Sequence, residues 1–167
     1  MNWYPFYTLP RHEKKIAALF DRNGTEYYLP LLKVLRMWSD RKKWVEEPLF
    51  KSYIFVHTKY PSADFYKIIS SPGIIRSISF EGRPHHLADE EIETIRQLLE
   101  LGYSLKAVKT PLKKGTAVEI SGGPLMGMRG EVIGPKGKRK FLIRINTINT
   151  ALQVDIDGEF LAAAGKG

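Results

Sequence analysis

Residues with catalytic potential occur in this chain, but not in catalytic arrangements. There is no cysteine, which removes disulfides, thiolate metal sites and cysteine nucleophiles together. His85 and His86 are adjacent, so on a strand they would point to opposite faces and make a poor metal pair. His12 and His57 lack a companion motif. Asp89, Glu90, Glu91 and Glu93 crowd the expected start of a helix, where the macrodipole stabilises acids without any catalytic task. A phosphate loop ending at Gly137-Lys138 would need glycine where Val132 stands and Ser or Thr where Arg139 stands. Neither Gly-x-Ser-x-Gly nor His-Glu-x-x-His is present. The expectation is a protein that is not an enzyme and takes no cofactor.

What the side chains offer instead is recognition. Arg41-Lys42-Lys43 lies between Trp38 and Trp44, and cations interleaved with indoles supply the charge and stacking surface that single-stranded nucleic acid requires. A solvated turn explains the same run. Arg11, His12, Lys14 and Lys15 form a second cationic cluster, around the start of an expected helix, and Lys136, Lys138, Arg139 and Lys140 a third at an expected hairpin tip. The aromatic residues suggest a different contact. Tyr53 and Phe55 share one face of a strand, while Ile54 and Val56 take the other. A sheet with helices on one side buries only one face. Tyr53 and Phe55, supported by Phe50 and joined by Tyr7 and Phe80 from neighbouring strands, would then form the kind of apolar patch that marks a protein interface. Plain core burial is the alternative.

The bulk properties agree with a binding protein. The chain has 167 residues and a net charge of +8. Residues 104–167 carry 11 Lys/Arg against 5 Asp/Glu, so they hold +6 of that charge. Such a balance favours polyanionic partners through counterion release, although it also serves solubility. No run approaches the roughly 20 apolar residues that cross a bilayer, and Met1-Asn2-Trp3-Tyr4 does not open a signal peptide. A reducing cytoplasm suits a chain without cysteine.

These side chains need elements to position them. Trp3–Leu9 reads as a strand, and Arg11–Asn23 as a helix bearing Ile16, Leu19 and Phe20, stopped by Gly24. Glu26–Leu35 looks extended, Met37–Glu47 like a hairpin tip, and Pro48–Thr58 like a strand. Ser62 is placed to cap a short helix through Ile69. A strand over Ile74–Phe80, closed by Glu81-Gly82, and a helix from Asp89 to near Gly102 complete an α+β unit, an antiparallel sheet flanked by helices. Ser104–Lys114 has four lysines, no acid and Pro111, which suggests a linker open to trypsin. Beyond Gly115 the helical period vanishes. Ala117–Ile120, Gly130–Ile133, Phe141–Ile145, Leu152–Ile156 and Phe160–Ala162 alternate with glycine turns, as in a small five-stranded β-barrel. The expected organisation is thus 1–103, a linker 104–114, and 115–167.

The order of the motifs then matches a known family. Trp3-Tyr4, a helix, Tyr28-Leu29-Pro30, Pro48-Leu49-Phe50-Lys51-Ser52-Tyr53-Ile54-Phe55-Val56 and Ser71-Pro72-Gly73-Ile74 resemble the N-terminal domain of NusG proteins. Val118-Glu119-Ile120, Gly123-Pro124, Gly127 and Gly130-Glu131-Val132 resemble the SH3-like KOW module that follows it. The resemblance spans nearly the whole chain. It implies a transcription elongation or antitermination factor whose aromatic face receives the clamp coiled coil of the largest RNA polymerase subunit. It implies too that the first-helix region can face nontemplate DNA, and that the KOW domain meets a ribosome or a termination factor. Where the family usually has Pro-Gly between the Phe and the Tyr, this chain has Lys51-Ser52. With Trp38-Ser39-Asp40-Arg41-Lys42-Lys43-Trp44, that departure resembles specialised antiterminators of surface-polysaccharide operons. A KOW-bearing RNA-binding protein of the ribosome is the alternative.

Overall fold

The computed structural model describes residues 1–110, 115–134, 140–156 and 160–164. The chain divides into two compact units, Met1–Leu99 and Glu100–Gly167. The fold is mixed α and β, with three helices among the described residues.

In the first unit, β1 (Asn2–Thr8) and β5 (Tyr53–Thr58) form the centre of a sheet ordered β2–β5–β1–β6, with β2 at Tyr27–Tyr28 and β6 at Ile74–Ser77. The β1–β5 pairing is antiparallel and sets Phe6 opposite Ile54 and Tyr4 opposite Val56. Because side chains alternate across a strand, these four share one face. Helices α1 (Glu13–Asn23) and α2 (Ala63–Ile69) cover it with Ile16, Ala17, Phe20, Phe65 and Ile68, and all nine side chains are buried. Ser62 caps α2 by accepting the Phe65 N–H at 3.1 Å, and Gly24 ends α1 at φ 65°. Helix α1 begins at Glu13 rather than Arg11, because Arg11 is left-handed at φ 63° and His12 is the cap.

The other face of the sheet corrects an expectation. It carries Trp3, Pro5 and Tyr7 opposite His57, Phe55 and Tyr53, and it is not left open along its length. The Arg96 guanidinium of α3 (Asp89–Glu100) lies 5.4 Å from the Trp3 ring and 4.9 Å from the Tyr28 ring. Helix α3 therefore lies over this face. Its Ile92, Ile95 and Leu98 are buried, as is Phe55. The expected strand over Ile74–Phe80 is split into β6 and a separate short hairpin, β7 (Ser79–Phe80) with β8 (Arg83–Pro84), turned by Glu81 and Gly82 at positive φ. His85 and His86 follow that hairpin, outside any strand, and their rings stack at 6.2 Å instead of opposing each other.

A two-stranded arm, β3 (Leu31–Met37) and β4 (Lys42–Pro48), extends between β2 and β5 in sequence and pairs only with itself.

The second unit is an antiparallel sheet of six strands ordered β14–β10–β11–β12–β13–β9. They are β9 (Leu105–Lys109), β10 (Thr116–Ile120), β11 (Arg129–Ile133), β12 (Lys140–Ile145), β13 (Thr150–Val154) and β14 (Leu161–Ala163). The five expected strands are all there, within two residues of their expected bounds, but the structure adds a sixth and gives a sheet rather than a demonstrated barrel. The addition, β9, falls in the segment expected to be a linker. Leu105 is buried opposite Val154, and Ala107 faces Leu152, while Lys106 and Lys109 are exposed. Two of the four lysines that suggested a tether, Lys106 and Lys109, belong to an edge strand, where charge discourages further pairing. Residues 111–114, and Lys136, Lys138 and Arg139, lie outside the described residues. Gly130 is required where it stands, since a Cβ there would come within 2.5 Å of the Phe141 ring and 2.6 Å of the Leu142 carbonyl oxygen.

Candidate functional site

Of the five aromatics expected to form one surface, the structure brings four together, and two of those four keep exposed area. Tyr7 and Tyr53 are direct cross-strand partners, with ring centroids 5.4 Å apart at 67°. Both are half-buried. Phe55 lies two residues along the same face, fully buried, and Phe50 meets it edge-on at 5.7 Å while being only 3% exposed itself. These two buried rings have no area to offer a partner. Phe80 is 67% exposed but stands on the β7–β8 hairpin, where its ring neighbours His85 at 6.4 Å. It does not belong to the sheet.

Arg76, which sequence reasoning missed, completes the open end. It pairs with Tyr7 from the edge strand β6 and sets its guanidinium 6.0 Å from the Tyr7 ring. Arg76 is exposed and meets no carboxylate among the described residues. The Tyr53 hydroxyl is harder to ionise than an ordinary phenol. Burial is the largest cause and the neighbouring Tyr7 the next, with Arg76 opposing them. The second face thus has one end where Arg96 lies over Trp3 and Tyr28, and another at Tyr7–Tyr53–Arg76. An apolar rim with a cation beside it suits an amphipathic partner with a carboxylate at its edge.

The cationic clusters come together in part. The Lys14 ammonium donates to the Glu46 carbonyl oxygen at 2.6 Å, which ties the start of α1 to strand β4 of the arm. Arg11 and Lys15 are exposed beside it, and His12 is half-buried with Nδ1 3.1 Å from the Pro10 carbonyl oxygen. Arg41, Lys42 and Lys43 sit at the far end of the arm. Arg41 lies 5.4 Å from the Trp38 ring, in the turn, and Lys42 and Lys43 pair with Met37 and Arg36. One end of the arm is therefore anchored at α1 and the other carries the basic run.

A second missed residue fixes the loop that leads into Tyr53. Glu13 is only 4% exposed, and its Oε1 accepts the Ser52 N–H at 2.7 Å. The Ser52 carbonyl oxygen in turn accepts the Thr8 N–H at 2.9 Å. Ser52 is held at φ 63°, a left-handed conformation that costs a residue with a Cβ roughly 1–2 kcal/mol. A charge-assisted hydrogen bond of this length offsets that cost. The signal in the sequence was Ser52 standing where glycine is usual; nothing pointed to Glu13, which looks like an ordinary acid in a first helical turn.

Among the described residues no group of three or more His, Cys, Asp or Glu is placed to hold a metal ion, and no helix is long and apolar enough to cross a membrane.

Known proteins resemble this chain in sequence and in fold. The family model described as transcription termination factor NusG matches residues 1–96. The transcription termination/antitermination protein NusG of Streptococcus pyogenes is 23% identical over 169 aligned positions, covering 93% of this chain and 93% of that protein. The protein of the same name from Buchnera aphidicola is 24% identical over 146 positions, covering 85% and 78%. A solved structure of Thermotoga maritima NusG, concerned with its domain interaction, superimposes with a TM-score of 0.57 at 22% identity and covers 96% of this chain and 95% of that one. At that identity the likeness speaks for the fold.

Proposed function

This chain belongs to the NusG family, and from that premise we propose that it is a transcription elongation and antitermination factor that holds RNA polymerase through the open end of its N-terminal sheet. The observation that carries the proposal is the Tyr7–Tyr53 pair, left half-exposed beside Arg76 while Trp3, Pro5 and Phe55 on the same face are buried. The partner implied by the family resemblance is the clamp coiled coil of the largest subunit. Phe50 and Phe55, packed edge-on against each other and buried, belong to the core of the unit. A factor that binds the elongating conformation more tightly than the paused one shifts the population toward elongation by that difference in affinity.

The cations at the start of α1, namely Arg11, His12, Lys14 and Lys15, together with Arg41, Lys42 and Lys43 on the arm, form the contact with nucleic acid, in this reading the exposed nontemplate DNA. The second unit recruits a further partner, a ribosome or a termination factor. Lys51-Ser52 in place of Pro-Gly, with the Trp38–Trp44 run, favours a specialised paralogue serving particular operons, such as surface-polysaccharide clusters. Acting on bacterial polymerase would place its work in the cytoplasm. Transcription in vitro tests the proposal. Adding the protein should shorten pauses and raise readthrough of a terminator, and pausing and termination that do not change with saturating protein would rule it out.

A further inference from the structure

The arm carries more exposed apolar surface than its structural role requires. In its register Leu35 faces Trp44 and Met37 faces Lys42. Directly opposed residues share a face, so Leu35, Met37, Lys42 and Trp44 lie side by side, and Lys33 and Glu46 form the next rung. Leu35 is 44% exposed, Met37 69% and Trp44 66%, and Trp38 in the turn is 49% exposed. Lys33, Trp44, Val45 and Glu46 line an open depression at the inner end of this face. The charges around these rungs are free to act. Arg36 is taken up by Glu47 in a bidentate pair at 2.7 Å, but Lys33, Lys42 and Lys43 have no carboxylate partner among the described residues.

We infer that this face of the arm is a stacking platform for an unpaired nucleic-acid strand, with bases on the Trp44 and Trp38 rings and phosphates on Lys42 and Lys33. The inference deepens the nucleic-acid part of the proposed function and rests on it. Two features select this occupant over a protein. Dry protein interfaces are depleted in lysine, whereas here lysine stands on or beside each apolar rung. Arg41 already lies against Trp38, which pairs a cation with an indole as backbone-plus-base recognition requires. A duplex keeps its base faces stacked internally and would leave both indoles without partners, so the platform discriminates single strands from double.

The test titrates the full-length chain with fluorescently labelled oligothymidylate, oligouridylate and a duplex of equal length, at several salt concentrations. Either single strand should bind more tightly than the duplex, and the tighter of the two identifies DNA or RNA as the source. Trp44→Ala should weaken single-strand binding by roughly 5- to 150-fold, with Trp44→Phe retaining most of it. Trp44 is largely exposed, so the variant should keep its fold, and circular dichroism checks this. Lys42→Ala with Lys33→Ala should lower the log–log salt slope by about 0.7 for each phosphate no longer neutralised. Duplex binding as tight as single-strand binding would overturn the inference, as would unchanged affinity in Trp44→Ala. So would a Trp44→Ala defect confined to polymerase binding, which would assign the face to a protein. Tyr53→Ala separates the two readings: it should leave oligonucleotide binding intact, so the platform and the polymerase surface can fail independently.

Discussion

Ser52 and Glu13 are the residues on which the approach to the proposed interface turns. A glycine at position 52 would relieve the left-handed strain, less the roughly 0.4–1 kcal/mol that a freer unfolded chain takes back. Ser52→Gly should therefore raise stability slightly, by about 0.5 kcal/mol, in urea unfolding. Glu13→Ala should lower it by about 2 kcal/mol, since it leaves a part-buried N–H without its acceptor. Tyr53 adds a dependence on pH. Its folded-state pKa is raised above the ordinary 10.0, so its contribution is present in full below that value and is lost as pH rises through the higher folded one. Wild type should lose stability in that alkaline window more steeply than Tyr53→Phe, a difference that denaturant midpoints at stepped pH would reveal. At this scale the sequence was legible for pairs within a strand. Tyr53 and Phe55 do share a face, because a period of two is local geometry. That Phe55 is buried and Arg76 lies beside Tyr7 depends on which strands and helices are neighbours, and no local pattern carries that.

Among the elements, α3 decides how much of the aromatic face remains open. Its hydrophobic period and acidic start announced a helix, but not which side of the sheet it covers. Arg96 ties it down, with its guanidinium over both Trp3 and Tyr28. Arg96→Ala should cost about 1–2 kcal/mol by removing the cation–π attraction. Arg96→Lys should restore only part, because an ammonium stacks less well than a planar guanidinium. Hydrogen exchange should locate the loss to α3 rather than α1, and an unchanged α3 would show that Ile92, Ile95 and Leu98 hold it unaided. The arm was legible as a hairpin tip from its polar run. Its register, and hence the common face of Leu35, Met37, Lys42 and Trp44, followed only from the pairing. Strand β9 was missed because a lysine-rich edge strand and a lysine-rich tether have the same composition.

For the whole molecule, that misreading changes where the chain can be divided. A C-terminal fragment beginning at Gly115 lacks β9 and leaves β13 unpaired on one side, uncovering Ala151, Leu152 and Val154, all buried in the intact sheet. It should be less stable than a fragment beginning at Glu100 by at least about 2 kcal/mol, given the Leu105 side chain alone, and thermal melts of the two fragments would show it. Lys106 and Lys109, being in a paired strand, should resist trypsin that a free linker would not. The two-unit organisation was legible from the change of texture near residue 104, since helical and strand periods differ over any window long enough to hold both. The central claim concerns the first unit, and the affinity of the full chain for purified RNA polymerase core tests it most directly. Tyr7→Ala and Tyr53→Ala, both at half-buried positions, should each fold and each weaken binding by about 2 kcal/mol, near thirtyfold, as central aromatic anchors do. Arg41→Ala on the arm should leave core binding close to wild type. Folded Tyr7→Ala and Tyr53→Ala variants that bind polymerase core as tightly as the wild type would contradict the account.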